Sequence, residues 1–189
     1  MTKNSISPEL NNPIKTLSDN GVGILLTDTI YGVVAKASSQ LAVERVYILK
    51  GRTPEKPPIV LITNTSQMFD APSEKMIEDL KLYWPGKNSI ILPSPSAPEW
   101  ITRGSKTVAY RMILPDTKNT KILYDIISKT GPLIAPSANP EGLSPAKNIT
   151  EAKRYFGDKV DFYIDGEDVE NNTPSKLYKW TPLGMERLR

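Results

Sequence analysis

A helix that must end where the chain turns basic frames this sequence. From Gln40 to Lys50 the apolar residues Leu41, Ala42, Val43, Val46, Ile48 and Leu49 recur at helical spacing and predict a buried stripe. Lys50-Gly51-Arg52 follows, and Pro54, Pro57 and Pro58 deny the helix any continuation. Upstream, Ile24-Leu25-Leu26 reads as an apolar strand that stops at Thr27-Asp28-Thr29, and an extended segment leads from there to the helix. Downstream, Pro58 to Ile62 predicts a second buried strand. Two fixed cations, with Lys56 as a third nearby, therefore stand at the mouth of a loop. If the strands pair, a turn rich in hydroxyls faces them.

Composition narrows the chemistry. A chain of 189 residues implies one domain, 1–189, with a core of useful size. The 24 basic and 21 acidic residues leave a net charge of +3, too little to argue for nucleic acid without a local cluster. There is no cysteine and no histidine. Disulfides, thiolate nucleophiles, Cys- or His-ligated metals and the Ser-His-Asp triad are therefore excluded. An enzyme built on this chain works with Lys, Arg, carboxylates, hydroxyls and backbone amides. That set suits phosphate chemistry, where cations and positioning carry most of the catalysis. Residues 1–15 hold no apolar stretch of the signal-peptide kind, and no run nears the roughly 20 apolar residues that span a bilayer. The expectation is a cytoplasmic protein without a membrane partner.

Along the rest of the chain, residues 8–20 predict a helix with Leu10, Ile14 and Leu17 on one side and Gly21 as its stop. Residues 66–70 predict a helical turn. Ser73 caps a helix carrying Met76, Ile77, Leu80 and Tyr83, which Trp84-Pro85-Gly86 ends; Trp84 itself reads as packing. Ser89 to Leu92 is a strand, and the proline-rich 93–98 an irregular loop. Thr107 to Leu114 is a strand, Asn119 to Lys129 a helix capped by Gly131, and Leu133 to Ala135 a short buried strand. Thr150 caps a helix to Phe156, Val160 to Ile164 is a strand, and the acidic, Asn-rich 165–173 reads as mobile. Two short strands joined near Pro182-Leu183-Gly184 finish the chain. Strands and helices mixed without strict alternation imply an α/β fold with a twisted mixed β-sheet flanked by helices.

Read from the residues alone, the polar turns keep two meanings. Lys50 and Arg52 are either solvated cations at a helix C-terminus or a phosphate grip, a point charge beside a bidentate fork. Ser137 and Asn139 follow a buried strand, where ligands often bind, yet Ser and Asn also build ordinary turns. The hydroxyls of Thr27 and Thr29 are equally open. Arg111 is the clearest signal: it interrupts an apolar strand, so it either faces solvent or meets an anion.

Read together, Thr27-Asp28-Thr29-Ile30-Tyr31-Gly32, Lys50-x-Arg52 with Lys56-Pro57, Trp84-Pro85-Gly86, Val108-Ala109-Tyr110-Arg111, Ser137-Ala138-Asn139 and Pro174-Ser175 resemble the YrdC/Sua5 family, in its short form, over nearly the full length. The resemblance implies a YrdC-like domain with a central basic cleft. It implies an L-threonylcarbamoyladenylate synthase that makes threonylcarbamoyl-AMP and pyrophosphate from L-threonine, bicarbonate or CO2, and ATP. The product would feed the N6-threonylcarbamoyl modification of tRNA adenosine 37 through a separate transferase. By this resemblance Lys50 and Arg52 are catalytic. Lys50, Arg52, Thr107, Ser137, Asn139 and Arg187 hold ATP, and Thr27, Arg111 and Ser175 hold threonine. Mg2+ would come with ATP, without dedicated protein ligands. The chain departs from the family pattern at Leu26, at Lys87-Asn88-Ser89, at Leu61 and at Lys176. The rival reading is a non-catalytic RNA-binding or ribosome-associated module, with Lys50, Arg52, Lys56, Arg103, Lys106 and Arg111 along a basic face.

Overall fold

Strand faces divide the apolar residues into two layers, and the computed structural model shows both layers filled. It describes residues 8–170 and 173–189, with side chains from residue 12 onward. In β1 (Val22–Leu26) Val22 and Ile24 point to one side and Leu25 to the other. β2 (Tyr31–Lys36) does the same with Val33 and Ala35 against Val34, and β3 (Ile59–Ile62) with Val60 and Ile62 against Leu61. This alternation is the period-2 rule applied to strands covered on both faces. β4 (Asn88–Pro93), β5 (Thr107–Met112), β6 (Leu133–Ile134), β7 (Phe162–Tyr163), β8 (Lys176–Thr181) and β9 (Gly184–Arg187) complete the sheet. Its order is β7-β1-β2-β6-β3-β5-β4-β8-β9, with parallel pairs β1–β7, β3–β5 and β4–β8 and antiparallel pairs elsewhere.

One layer is closed by α1 (Pro8–Ser18) and α5 (Lys118–Thr130), whose Leu17, Leu123, Ile126 and Ile127 pack on Leu25, Val34 and Leu61. Thr117, not singled out as a cap from the sequence, caps α5 by accepting from the Thr120 N–H at 3.2 Å, and Gly131 closes it at φ 87°, as expected. The other layer holds α2 (Gln40–Lys50) and α6 (Ile149–Phe156). The short helices α3 (Glu74–Lys81) and α4 (Glu99–Thr102) add Leu80 and Ile101 to it.

Several expectations are corrected. The bounds of α2 are as expected, but its buried face is Ala42, Val43, Val46, Tyr47 and Lys50, while Leu41 and Ile48 are 73% and 80% exposed. Asn20, at φ 65°, takes the left-handed position after α1, where Gly21 was expected to stop the helix; the side chain of Leu10 lies outside the described residues. Asn148, not Thr150, caps α6, accepting from the Glu151 N–H at 3.0 Å. Of the α3 residues expected inward, only Leu80 is fully buried. The expected helical turn at 66–70 is a 3-10 turn at Thr65–Gln67, and α4 begins directly after the loop expected at 93–98.

The segment expected to be mobile is pinned where it is described. The Gly166 N–H donates to the Tyr31 hydroxyl at 3.0 Å and the Val169 N–H to the Lys147 carbonyl at 2.8 Å. Asn171 and Asn172 lie outside the described residues.

The edge pair β1–β7 has a sharp steric requirement. Gly23 sits opposite Phe162, and a Cβ there would fall 2.1 Å from the ring. Gly23→Ala is expected to cost about 1–3 kcal/mol through forced displacement of that ring, read as a lower urea midpoint. Adding Phe162→Ala should recover less than its own cavity cost but remove the clash, so a double-mutant cycle reports the coupling.

Candidate functional site

The basic loop is placed by the end of α2. Gly51 takes φ 59°, and the Arg52 N–H returns to the Tyr47 carbonyl at 3.0 Å while Gly51 donates to Ile48, a Schellman closure. A Cβ on Gly51 would meet nothing, so the left-handed backbone alone demands glycine there. Lys50, the last helical residue, runs inward. Its Nζ donates to the main-chain carbonyls of Ser137 and Asn139, and its own carbonyl accepts from the Glu141 N–H at 2.7 Å. Arg52 folds over the loop that follows, donating to the Pro57 carbonyl at 3.1 Å, with its guanidinium 5.5 Å from the Tyr47 ring. The Tyr47 hydroxyl donates to the Lys56 carbonyl at 2.6 Å, so the same ring supports both ends of the loop.

The turn facing Lys50 is stitched to β2. Val33 and Ala138 donate N–H bonds to Pro136 and Tyr31, each at 2.8 Å, and Ala146 donates to Ala138 at 3.0 Å. The Asn139 amide nitrogen donates to Pro140 and Leu143 carbonyls at 2.9 and 2.8 Å, which leaves its buried Oδ1 without a partner. Burial, then the neighbouring Arg52 charge, push the Lys50 pKa down to about 7, with Lys56 acting the same way and Glu141 opposing.

Arg111 stands in β5 almost wholly enclosed. Its Nη1 donates to the Thr29 hydroxyl at 3.2 Å, and its Nε lies 3.3 Å from the Asp28 carboxylate, an ion pair without hydrogen-bond alignment. Burial depresses the Arg111 pKa, Arg189 adds to this, and Asp28 opposes it. The Thr27 hydroxyl donates to the Ile30 carbonyl at 2.7 Å and accepts from the N–H groups of Thr29 and Ile30, so it closes the turn. Ser175 is buried, its hydroxyl 2.8 Å from that of Ser89, and its carbonyl accepts from Arg189 at 3.2 Å.

These groups line two cavities that share a wall. One, of about 180 Å³, is lined by Lys50, Arg52, Lys56, Ser137, Asn139, Glu141 and Gly142. The other, of about 240 Å³, takes in Thr29, Arg52, Lys56, Arg111, Ser137, Pro174, Ser175 and Arg189. Arg52, Lys56 and Ser137 belong to both. A third cavity, of about 530 Å³, adjoins at Thr29 and carries Thr27, Asp28, Asp116, Glu167, Asp168 and Glu170.

Of the expected site residues, Lys50, Arg52, Ser137, Asn139, Arg111 and Ser175 thus meet around the two joined cavities. Thr27 lies on the adjoining one. Thr107 and Arg187 are not among the residues lining these three. Thr107 shares the β5 face of Arg111 at the sheet end where the Arg52 loop enters, and Arg187 reaches the Arg189 carbonyl at 3.2 Å. Sequence reasoning missed Arg189 and Glu141. Arg189 follows Arg187 by two residues, the spacing that returns a side chain to the same face of an extended chain.

Of the six cations that the binding-module reading set along a basic face, Lys50 and Arg111 are buried, and Arg103 pairs with Glu44 at 3.0 Å and stacks 4.0 Å from the Tyr47 ring. Among the described residues no group of three or more Asp or Glu side chains is placed to hold a metal, and no helix is long and apolar enough to cross a membrane.

Two outcomes follow from the enclosed cations. Asp28→Asn leaves the Arg111 guanidinium buried without a counter-charge and is expected to cost about 3 kcal/mol in urea unfolding; a loss within error would mean that water already neutralises it. For Lys50, the unfolded chain binds more protons between pH about 7 and the ordinary 10.5. The stability of the wild type should therefore rise with pH across that window relative to Lys50→Met, measured as the difference in their Tm values.

Comparisons with known proteins bear on the family and the fold. The Sua5_yciO_yrdC family model, described as "Telomere recombination", matches residues 15–189. A protein of Cellvibrio japonicus named threonylcarbamoyl-AMP synthase is 29% identical, over 92% of this chain and 92% of its own. One of Halorhodospira halophila with the same name is 31% identical over 84% of each. The structure of Pyrococcus abyssi Sua5 complexed with L-threonine superposes with a TM-score of 0.85 at 27% identity, covering 99% of this chain; the chain spans about half that protein, 55% of its length. Escherichia coli YciO, at 18% identity and a TM-score of 0.81, shares the fold. With the model match running from residue 15 to the last residue, the chain belongs to the Sua5/YciO/YrdC family.

Proposed function

We propose that this chain is an L-threonylcarbamoyladenylate synthase, a nucleotidyltransferase that joins L-threonine, bicarbonate or CO2, and ATP into threonylcarbamoyl-AMP and pyrophosphate for tRNA modification at adenosine 37. The observation that carries the reading is the shared wall. Arg52, Lys56 and Ser137 line both the Lys50 cavity and the Arg111 cavity, so two ligands bound there would meet across them. The names of the relatives, and the threonine in the Pyrococcus structure, support it.

In this reading the Arg111 cavity takes threonine. A carboxylate or N-carboxylate there meets the Arg111 guanidinium, the Thr29 hydroxyl and Arg189, and supplies the negative charge that Asp28 alone only partly provides. The Lys50 cavity takes the phosphates, with Mg2+ arriving as part of the ATP substrate. The threonine amine adds to CO2 and loses a proton to give a carbamate. A carbamate oxygen then attacks the α-phosphorus, a new P–O bond forms, and the bond to pyrophosphate breaks with its electron pair leaving on pyrophosphate. The nucleophile is the substrate, so no histidine or cysteine is needed. The protein supplies position and positive charge at the shared wall, from Arg52 and Lys56, with Lys50 behind them. Thr107 and Arg187 are proposed as further ATP contacts, and Thr27 as a threonine contact through its turn.

The test is mass-spectrometric detection of the adenylate from purified protein with the three substrates. Lys50→Ala and Arg52→Ala, each confirmed folded, should lower its formation by at least ~10²-fold, the size of one lost transition-state donor. Near-normal formation in both would refute their roles. A thermal-shift screen adds a second arm: a Tm rise with ATP plus threonine is expected, and a rise with RNA alone would favour the binding module.

A further inference from the structure

A carboxylate stands among the cations of the Lys50 cavity. Glu141 Oε2 accepts from the Thr53 main-chain N–H at 2.5 Å, Oε1 accepts from the Thr53 hydroxyl at 3.2 Å, and Lys56 Nζ lies 3.9 Å from Oε1. A main-chain N–H, a hydroxyl and an ammonium converging on two oxygens form a donor set suited to a phosphate group. Here the protein's own carboxylate takes it. The carboxyl pKa is lowered, first by the Thr53 N–H bond, so Glu141 is charged at neutral pH.

Its placement is local. The Glu141 N–H is anchored to the Lys50 carbonyl at 2.7 Å, which keeps the side chain beside the cavity, while the carboxylate itself is 37% exposed, at the solvent side of the cavity. An anion tethered this way competes with an incoming one at high effective concentration. The neutralisation is also selective. Among the described residues neither Lys50 nor Arg52 has a carboxylate within ion-pair distance, whereas the outer cation, Lys56, has Glu141.

We propose that Glu141 is a built-in occupant of an outer phosphate subsite formed by Thr53 and Lys56, which weakens the grip on pyrophosphate and lets it leave after the adenylate forms. This rests on the reading of the Lys50 cavity as the phosphate site. The inner cations hold the reacting phosphates, and the outer donors exchange between Glu141 and the departing group. Without that internal competitor, a multiply charged product would sit among Lys50, Arg52 and Lys56 with nothing to replace it.

The test is titration calorimetry of magnesium pyrophosphate on the full chain and on Glu141→Gln and Arg52→Ala. Glu141→Gln keeps an acceptor for the Thr53 N–H and removes only the charge. It should bind pyrophosphate at least about fivefold tighter, the effect of one unit charge at about 4 Å in water, and pyrophosphate inhibition should strengthen by the same factor with KM for threonine unchanged. Unchanged or weaker binding in Glu141→Gln, with Arg52→Ala still weakened, overturns the proposal and leaves the cavity's assignment standing; it would make Glu141 a clamp on the 51–57 loop. If Arg52→Ala binds pyrophosphate as the wild type does, the assignment itself fails and the proposal with it.

Discussion

The fold of the site depends on one buried ammonium. Lys50 leaves the last turn of α2 and donates to the carbonyls of Ser137 and Asn139, in the turn after β6 almost ninety residues further on. A lysine so enclosed carries a desolvation cost, and the main-chain oxygens offset part of it. The exchange is favourable for geometry because both partners are fixed. The helix end is locked by its Gly51 closure, and the 136–139 turn by its bonds to Val33 and Tyr31. Remove the ammonium and two carbonyls lose their donor at the point where the two halves of the cleft touch. Among the described residues the Arg52 loop and the Ser137 turn would then be joined through Glu141: its N–H to the Lys50 carbonyl, its carboxylate to Thr53, and its ion pair with Lys56.

The same economy of charge runs through the cleft. Arg111 is as buried as Lys50, but it is paired with Asp28 on the neighbouring turn. Arg189 approaches from the far end of the chain and lowers the Arg111 pKa further, so the cavity between them is positive beyond what Asp28 neutralises. A site left short of negative charge is poised for an anionic ligand, since the ligand completes interactions that the protein leaves open. The buried Oδ1 of Asn139 is the opposite case: an acceptor with no hydrogen-bond partner among the described residues, complementary to a donor rather than to an anion.

How much of this could be read in advance differs between fold and site. Helix α2 was legible in its bounds because Pro54, Pro57 and Pro58 forbid continuation and the apolar spacing is dense. Its orientation was not. Leu41 and Ile48 look like core residues but face solvent, while Tyr47 and Lys50 turn inward because their polar tips find the Lys56, Ser137 and Asn139 carbonyls. Those partners are set by tertiary pairing, which periodicity does not see. The α6 cap was misplaced for a similar reason. Asn148 and Thr150 are both good caps, and the Ala146–Ala138 bond decides where the turn releases the chain. In the site, Arg111 declared itself as a cation in an apolar strand. Glu141 and Arg189 gave no such signal: an acidic residue before a glycine in a turn and a terminal arginine are ordinary at a surface.

The absence of histidine and cysteine is then less a handicap than a description of the chemistry such a cleft can favour. Charge builds on oxygens when a P–O bond exchanges, and cations already in place stabilise that charge without reorganising. Histidine would add a proton donor or acceptor, but a substrate carbamate attacks without one. What the protein must control is how strongly it holds the products. Lys50 and Arg52 are held in position by main-chain carbonyls, so groups nearer the surface are better placed to exchange partners. At the cleft's outer rim stand Lys56 and Glu141, both exposed and separated by 3.9 Å. On the proposed reading the enclosed inner cations act on the breaking bond, and the exposed outer pair on how soon the product leaves.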